Sequence, residues 1–288
     1  MINIMKFRPF FMVISGLLIA TSLFSILKWG FKTGIDFAGG TNWEVSFKKT
    51  VDQSAIKTIF SNQKIDLKTI SQNQNKFLLK FSNISQDQKL SLITDFKKID
   101  PDFSDDRFES LGPSLGKELL SKTIIAIILS SLALLLFIGS RFKDISFGIG
   151  AVLAMFHDAL ILIGAFSIFG HFFGAELDSL FVTALLTTLS ASVHDTVVTF
   201  DRIRELKTKS SKLDWVVLAN QAVSEVIVRS INNSMTIIFM LTALVALGGS
   251  TTRWFALALL TGVICGTYSS TAVAIPLVLW LKKFQRFQ

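Results

Sequence analysis

The sequence predicts a polytopic α-helical membrane protein with six membrane-spanning helices and a small α+β domain between the first two. Half of the 288 residues are hydrophobic, the mean hydropathy is +0.54, and 17% are charged, against about a quarter in soluble domains. Six apolar runs are long enough to cross a bilayer. They predict spans within residues 1–29 and at 121–140, 145–169, 179–200, 229–247 and 254–281.

The first apolar run, residues 10–27, lies between Lys6 and Arg8 on one side and Lys28 and Trp29 on the other. A cleaved signal peptide is the alternative to a retained helix. We expect a retained helix, because no small-residue cleavage site follows the run and tryptophan suits a membrane interface.

Residues 30–120 have the composition of a water-soluble domain. Alternating polar and apolar residues at 41–47 predict a half-buried strand. Beyond it, the patterns predict a helix at 51–62, strands at 65–71 and 76–82, a helix at 86–99 and a strand at 107–111. The order strand, helix, strand, strand, helix, strand is that of a ferredoxin-like split unit. Residues 121–288 then form the domain of five further membrane helices.

Lysines and arginines are concentrated on one side of the predicted membrane. That side holds Lys6, Arg8, Arg141, Lys143, Arg202, Arg204, Lys207, Lys209, Lys212, Arg229, Lys282, Lys283 and Arg286. The short loops of the other side hold only Arg253. By the positive-inside rule, both termini are cytoplasmic and residues 30–120 are extracytoplasmic. Nucleic acid is excluded as a partner, because the net charge of +8 forms no basic face on a soluble domain.

Five ionisable residues fall inside or at the start of predicted spans. His157 and Asp158 lie in the third span, His194 and Asp195 in the fourth, and Arg229 begins the fifth. Such residues are costly in a bilayer and are functional candidates by default. At 1.5 Å per residue, Asp195 lies about 10 Å inside the cytoplasmic end and Asp158 about 20 Å inside, near the middle.

Structural roles are the alternatives for these residues. Asp195 and Arg229 could form an ion pair that locks two helices, and His157 with Asp158 could be a structural hydrogen-bonded pair. We favour function for Asp195, because serine or asparagine would lock helices at lower cost. An aspartyl pair of Asp158 and Asp195 is disfavoured by their different depths. A metal site is disfavoured because adjacent helix residues diverge by about 100° and no His-x3-His motif is present.

Two spans carry patterns that predict helix contacts. The fourth span has a polar face, which should point into the bundle and consists of Thr188, Ser192, Asp195 or Thr196, and Thr199. The sixth span has small residues at every fourth position, Gly262, Gly266 and Ser270, a spacing that permits close approach of another membrane helix.

Three stretches together resemble the SecF branch of the SecD/SecF family of protein translocase subunits, within the RND transporter superfamily. They are residues 34–41, 111–116 and 193–205, and residues 157–158 and 229–232 are also similar. The matching positions in the three stretches, besides those named above, are Asp36, Gly39, Gly40, Gly112, Pro113, Gly116, Asp201, Arg202, Arg204 and Glu205.

The resemblance implies the six-helix half of a SecDF-type assembly in the bacterial inner membrane, in contact with lipid and not an enzyme. Its implied partners are a SecD-like subunit, the Sec translocation channel and unfolded preproteins. The proton gradient, not a cofactor, would drive late steps of export, with Asp195 and Arg229 in the proton path and Asp158 and His194 as further candidates. His194 stands where many members have asparagine. It either joins the relay or replaces an amide hydrogen bond.

Two other functions stay open at this point. The chain could be a structural subunit that stabilises a membrane complex, with Asp195 as a helix lock. It could also be half of an RND-type small-molecule exporter, although six spans and one modest outer domain are half of that superfamily's usual arrangement.

Overall fold

The structure, a computed structural model, describes residues 3–142, 144–210 and 212–285. Lys143 and Arg286, which contributed to the charge pattern above, lie outside the described residues. The chain divides into two compact units, Met1–Lys32 with Ala126–Gln288, and Thr33–Ile125. Within the described residues, six helical segments are long and apolar enough to cross a membrane: Ile4–Trp29, Pro113–Arg141, Ile145–Phe173, Ser179–Lys209, Trp215–Leu247 and Thr252–Lys283. The prediction of a mostly helical chain with six candidate membrane helices is confirmed.

The first span consists of a short 3₁₀ turn, Ile4–Phe7, and helix α1, Arg8–Trp29. The unit that follows contains, in order, α2 (Ile35–Ala38), β1 (Gly40–Ser46), α3 (Gln53–Asn62), β2 (Leu67–Asn73), β3 (Lys76–Phe81), α4 (Gln86–Ile99) and β4 (Ser104–Leu111). The four strands form one sheet in the order β2-β3-β1-β4, and every neighbouring pair is antiparallel. Therefore β1 and β2, which α3 connects, run in the same direction with β3 between them.

Aromatic side chains fill the core of this unit. Trp43 is fully buried, its ring centroid lies 5.4 Å from that of Phe96, and its Nε1 donates to Asp105 Oδ1 at 2.7 Å. Val45 of β1 and Phe47, the residue after the strand, are buried on the same side as Trp43, as the two-residue alternation requires. Burial of each such side chain contributes about 1.5–3 kcal/mol. This core is what holds α3 and α4 against the sheet.

The remaining helices are α5 (Pro113–Arg141), α6 (Ile145–Phe173), α7 (Ser179–Lys209), α8 (Trp215–Leu247), α9 (Ser250–Ser269) and α10 (Ile275–Gln285). A π-helical segment, Ser270–Ala274, joins α9 to α10. The closest packing partners are α7 with α9, α8 with α9, and α1 with α6. A Cβ on Gly262 of α9 would lie 2.4 Å from Thr188 Cγ2 of α7. The small residue is therefore what permits this helix approach.

Several predicted boundaries need correction. Helix α5 begins at Pro113 rather than at residue 121, α7 ends at Lys209 rather than at 200, and α8 begins at Trp215 rather than at 229. Residues 201–225, which lie between the predicted fourth and fifth spans, are therefore mostly helix. The sequence estimate counted apolar residues, whereas a helix continues into polar sequence until a cap or a breaker ends it. Proline is favoured at a first helical position, and the Asp214 carboxylate caps α8 by accepting the N–H of Val216 at 3.3 Å.

Candidate functional site

Asp158 in α6 is the centre of a buried hydrogen-bonded cluster. Ser192 Oγ of α7 donates to its Oδ2 at 2.5 Å, and Ser269 Oγ of α9 donates to the same oxygen at 2.6 Å. Cys265 Sγ of α9 lies 3.3 Å from Oδ1. Burying a carboxylate is costly unless hydrogen bonds compensate. Donors from two neighbouring helices meet that requirement here, and the cluster joins α6, α7 and α9.

His157 completes the cluster on its own helix. Its Nδ1 lies 2.9 Å from Asp158 Oδ1, and its Nε2 is buried with no hydrogen-bond partner among the described residues. The imidazole centroid lies 6.4 Å from the ring of Tyr268, whose hydroxyl donates to Phe11 O at 2.8 Å and is also hydrogen-bonded to Ser15. The dipeptide predicted from sequence is thus one hydrogen-bonded pair, placed beside the contact between α1 and α9.

The cluster includes three side chains of types that bind metals. One donor atom each from His157, Asp158 and Cys265 lie within 4.8 Å of one another. The imidazole Nδ1 and the thiol both approach the same carboxylate oxygen at hydrogen-bond distance. The histidine and the cysteine thus contact the carboxylate as hydrogen-bonding partners, and we assign no metal to the three side chains. The sequence interpretation missed Cys265, because it lies 107 positions from Asp158.

A cavity of about 630 Å³ lies between α7, α8 and α9. Its polar lining consists of Thr187, Thr188, Ser190, Ser192, His194, Asp195, Asn233, Ser234 and Thr267. Asp195 is half-buried in this wall, and its Oδ2 accepts a hydrogen bond from Ser230 Oγ of α8 at 3.2 Å. Thr188, Ser192 and Asp195 on the polar face of the fourth span therefore line this cavity.

Arg229 does not form the ion pair with Asp195 that the sequence left open as an alternative. Its side chain is exposed at the surface of this chain, and no ion pair joins it to Asp195 in the part of the chain that the structure describes. Successive residues of a helix point about 100° apart. Ser230 faces Asp195, so the neighbouring Arg229 points elsewhere. His194 is likewise exposed, and the structure brings neither side chain into the Asp158 cluster.

Charged residues link the ends of α5, α7 and α8 on the side where the sequence places the cytoplasm. Arg141 of α5 donates to Asp201 of α7 at 2.5 Å. The further pairs are Arg204–Asp201, Arg202–Glu205, Arg202–Glu225 and Lys209–Glu205. Exposed pairs contribute about 0–1 kcal/mol each, so the network fixes the relative positions of these helix ends more than it stabilises the fold.

In the smaller unit, the glycine-containing stretch at residues 34–41 contacts the one at residues 111–116. Gly39 has φ +73°, and a Cβ there would lie 2.8 Å from Pro113 Cα. A Cβ on Gly116 would lie 2.9 Å from Phe37 O. Gly40 pairs with Leu111 in the ladder between β1 and β4, and Gly112 borders the same contact. Asp36 is half-buried in α2. These motif residues thus bring the start of the domain against its end.

Comparison with known proteins identifies the family. Residues 91–284 match the family described as protein export membrane protein SecD/SecF, C-terminal. The protein translocase subunit SecF of Thermobaculum terrenum is 37% identical, with 98% of this chain and 95% of that protein covered. SecF of Haemophilus influenzae is 31% identical, with coverage of 94% and 83%.

A solved structure has the same fold. The crystal structure of SecDF from Thermus thermophilus, a translocon-associated membrane protein, superposes with a TM-score of 0.84 at 30% identity. The match covers 98% of this chain and 39% of that one, so this chain corresponds to well under half of the SecDF polypeptide. The six apolar helices and these relatives together show that the chain is a multi-pass membrane protein of the SecD/SecF family, similar over its length to SecF subunits.

Proposed function

We propose that this chain is the SecF subunit of a Sec protein-export complex. It acts with a SecD-like subunit and the translocation channel, and couples the proton motive force to late steps in the export of unfolded preproteins. The role is non-enzymatic, and the proton gradient rather than a cofactor drives it. The observation that carries the proposal is the placement of Asp195, an acid in a membrane-spanning helix, in the wall of a polar cavity. Acids in such positions mark proton and ion paths.

In this proposal, Asp195 is the group that first gains or loses the proton. It is half-buried, and its identified hydrogen-bond partner is the single hydroxyl of Ser230, so water in the cavity has access to its carboxyl group. Asp158 is the internal site, since hydrogen bonds from three helices hold it away from solvent. His194 borders the same cavity, which is compatible with either of its two roles.

Exposed polar side chains in the membrane-spanning segments support a partner protein in the membrane. Arg229 and His194 lie in membrane-spanning segments and are exposed on this chain. Ionisable side chains that face lipid in a membrane-spanning segment are costly. A second membrane protein that covers this face removes that cost, and the SecDF architecture favours a SecD-like subunit. We place both termini in the cytoplasm and the ferredoxin-like domain, residues 30–120, outside the inner membrane, on the charge distribution of the loops.

The test is substitution of Asp195 in the assembled complex. Asp195→Asn keeps the size and one hydrogen-bond acceptor but cannot ionise. We expect normal assembly with the partner and loss of gradient-stimulated export in inverted membrane vesicles, while Asp195→Glu retains part of it. Export by Asp195→Asn at the normal rate and abundance would refute the proton role.

A structural subunit is the second candidate function. The fully hydrogen-bonded Asp158 favours it, because such a cluster also stabilises three helices against one another. The same experiment separates the two: under a structural role, Asp195→Asn changes the amount of assembled complex and not its response to the gradient.

A further inference from the structure

We propose that the Ser192 hydroxyl relays protons between the cavity lined by Asp195 and the buried Asp158. This inference rests on the function proposed above and assigns a role to a hydroxyl outside the four residues of the suggested relay. It makes Asp158 a site reached from the cavity rather than an isolated hydrogen-bonding group.

The first observation is that Ser192 belongs to both places. Its Oγ donates to Asp158 Oδ2 at 2.5 Å, and the residue lines the cavity. Asp158 has three other hydrogen-bonding partners: His157, Cys265 and Ser269. None of these three lines the cavity. Among the described residues, Ser192 is therefore the one partner of Asp158 that also borders the space containing Asp195.

The second observation is the arrangement along α7. Ser192 and Asp195 lie three residues apart, so they occupy the same side of the helix, one above the other. Gly266 of α9 packs against Ser192, and a Cβ on Gly266 would lie 3.0 Å from Ser192 Cβ and 3.6 Å from Oγ. The small residue at 266 therefore leaves Ser192 the room to keep its hydroxyl directed at Asp158.

The chemical step is a relay through the hydroxyl. The O–H bond of Ser192 breaks as its hydrogen forms a new O–H bond with Asp158 Oδ2. Ser192 Oγ takes a replacement proton from a hydronium ion in the cavity, which becomes water. The serine ends neutral and unchanged, Asp158 changes from carboxylate to carboxylic acid, and rotation of the hydroxyl resets the relay. The reverse sequence returns the proton.

Other titratable groups surround this path. His157 contacts Asp158 from the same helix, Cys265 and Tyr268 approach from α9, and His194 and Asp195 border the cavity from α7. The infrared band of Asp158 must therefore be assigned by substitution before its rate is measured. Asp158→Asn provides that assignment, because it removes only the carboxylic acid stretch of this residue.

The experiment follows Asp158 protonation in the reconstituted complex with its partner subunit, by time-resolved infrared spectroscopy after a pH jump. We expect Ser192→Ala to slow the rise of the Asp158 band at least tenfold without lowering its final amplitude. Ser192→Thr and Ser192→Cys retain a group that can relay a hydrogen and should restore part of the rate. Ser25→Ala is the matched control, because Ser25 is a buried serine that also bonds across helices, to Gly164 O at 3.2 Å.

The outcomes separate the inference from the proposed function. An Asp158 band that rises equally fast in Ser192→Ala and Ser25→Ala would overturn the relay, and so would an Asp158 that never takes up a proton. A purely structural serine would reduce the amplitude or the amount of folded complex and leave the rate unchanged. If Asp195→Asn still abolishes gradient-stimulated export in that case, the proposed function stands without the Ser192 relay.

Discussion

Ser192 Oγ and Asp158 Oδ2 lie 2.5 Å apart and join α7 to α6 at the centre of the helical unit. Ser269 of α9 donates to the same carboxylate oxygen at 2.6 Å. One buried carboxylate of α6 is thus the common acceptor for donors on α7 and α9, and it joins the three helices. Its hydrogen bonds bear on stability as well as on proton transfer.

Replacement of Asp158 should distinguish hydrogen bonding from charge. Asp158→Ala leaves the hydroxyl of Ser192 without its acceptor and leaves Ser269 only its longer bond to Gly266 O at 3.3 Å. An unsatisfied buried group costs about 1–3 kcal/mol. We expect a large fall in the thermal unfolding midpoint of the purified protein. Asp158→Asn keeps one acceptor and should lose less stability. Equal midpoints for the alanine and asparagine variants would show that these bonds contribute little.

Gly262 should tolerate no side chain. In Gly262→Ala the new methyl would lie 2.4 Å from Thr188 Cγ2, so α7 and α9 must separate at a cost of about 1–3 kcal/mol. Gly148→Ala is the matched control, because nothing lies within 4 Å of a Cβ there. We expect reduced thermal stability for the first variant alone. Similar stability of both variants would contradict the close approach of these helices.

Gly39→Ala should disrupt the contact between the two glycine stretches. The substitution combines an unfavourable φ of +73° with a Cβ placed 2.8 Å from Pro113 Cα. Gly30→Ala has only the unfavourable φ, since Gly30 has φ +64° and no atom lies within 4 Å of its added Cβ. We expect faster amide hydrogen exchange in β1 and β4 of the full chain for Gly39→Ala than for Gly30→Ala. Equal exchange in the two variants would mean that the Pro113 contact is readily relieved.

Asp100 should make the smaller unit sensitive to acid. The backbone N–H of Lys49, together with those of Asp102 and Lys48, donates to its carboxylate and holds the pKa of Asp100 below its usual value. The ordinary aspartate pKa is about 3.9. A lowered folded-state pKa stabilises the fold above that value, and the contribution is lost as the pH falls through the lower folded value.

Hydrogen exchange of the full chain checks this prediction. We expect peptides from β1 and the loop after it to lose protection as the pH falls below about 4, after correction for intrinsic exchange. Asp100→Asn should show weaker protection already at neutral pH and a smaller further loss in acid. Asp102→Asn, at a side chain that is 62% exposed, is the control for loss of a surface charge. The same acid response in wild type and Asp100→Asn would assign the effect to other groups.

The sequence by itself determined the features that depend on local pattern. Apolar runs of sufficient length identified six candidate membrane helices, and the alternation at 41–47 identified the face of β1 that buries Trp43 and Val45. The unfavourable transfer of an acid into lipid singled out Asp195 without any knowledge of its neighbours. Helix ends were placed less well, because Pro113 and the cap residue Asp214 lie outside the apolar runs.

Only the tertiary structure decided which side chains meet. Ser230 rather than Arg229 faces Asp195, Ser192 links the cavity to Asp158, and Ser269 reaches Asp158 from 111 positions away. Hydrophobic periodicity shows which stretches are helices. It does not set the rotation of each helix about its axis or its shift along its neighbours, and a rotation of about 100° exchanges one residue for the next at a contact. Those two variables are set by packing, which involves the whole bundle at once.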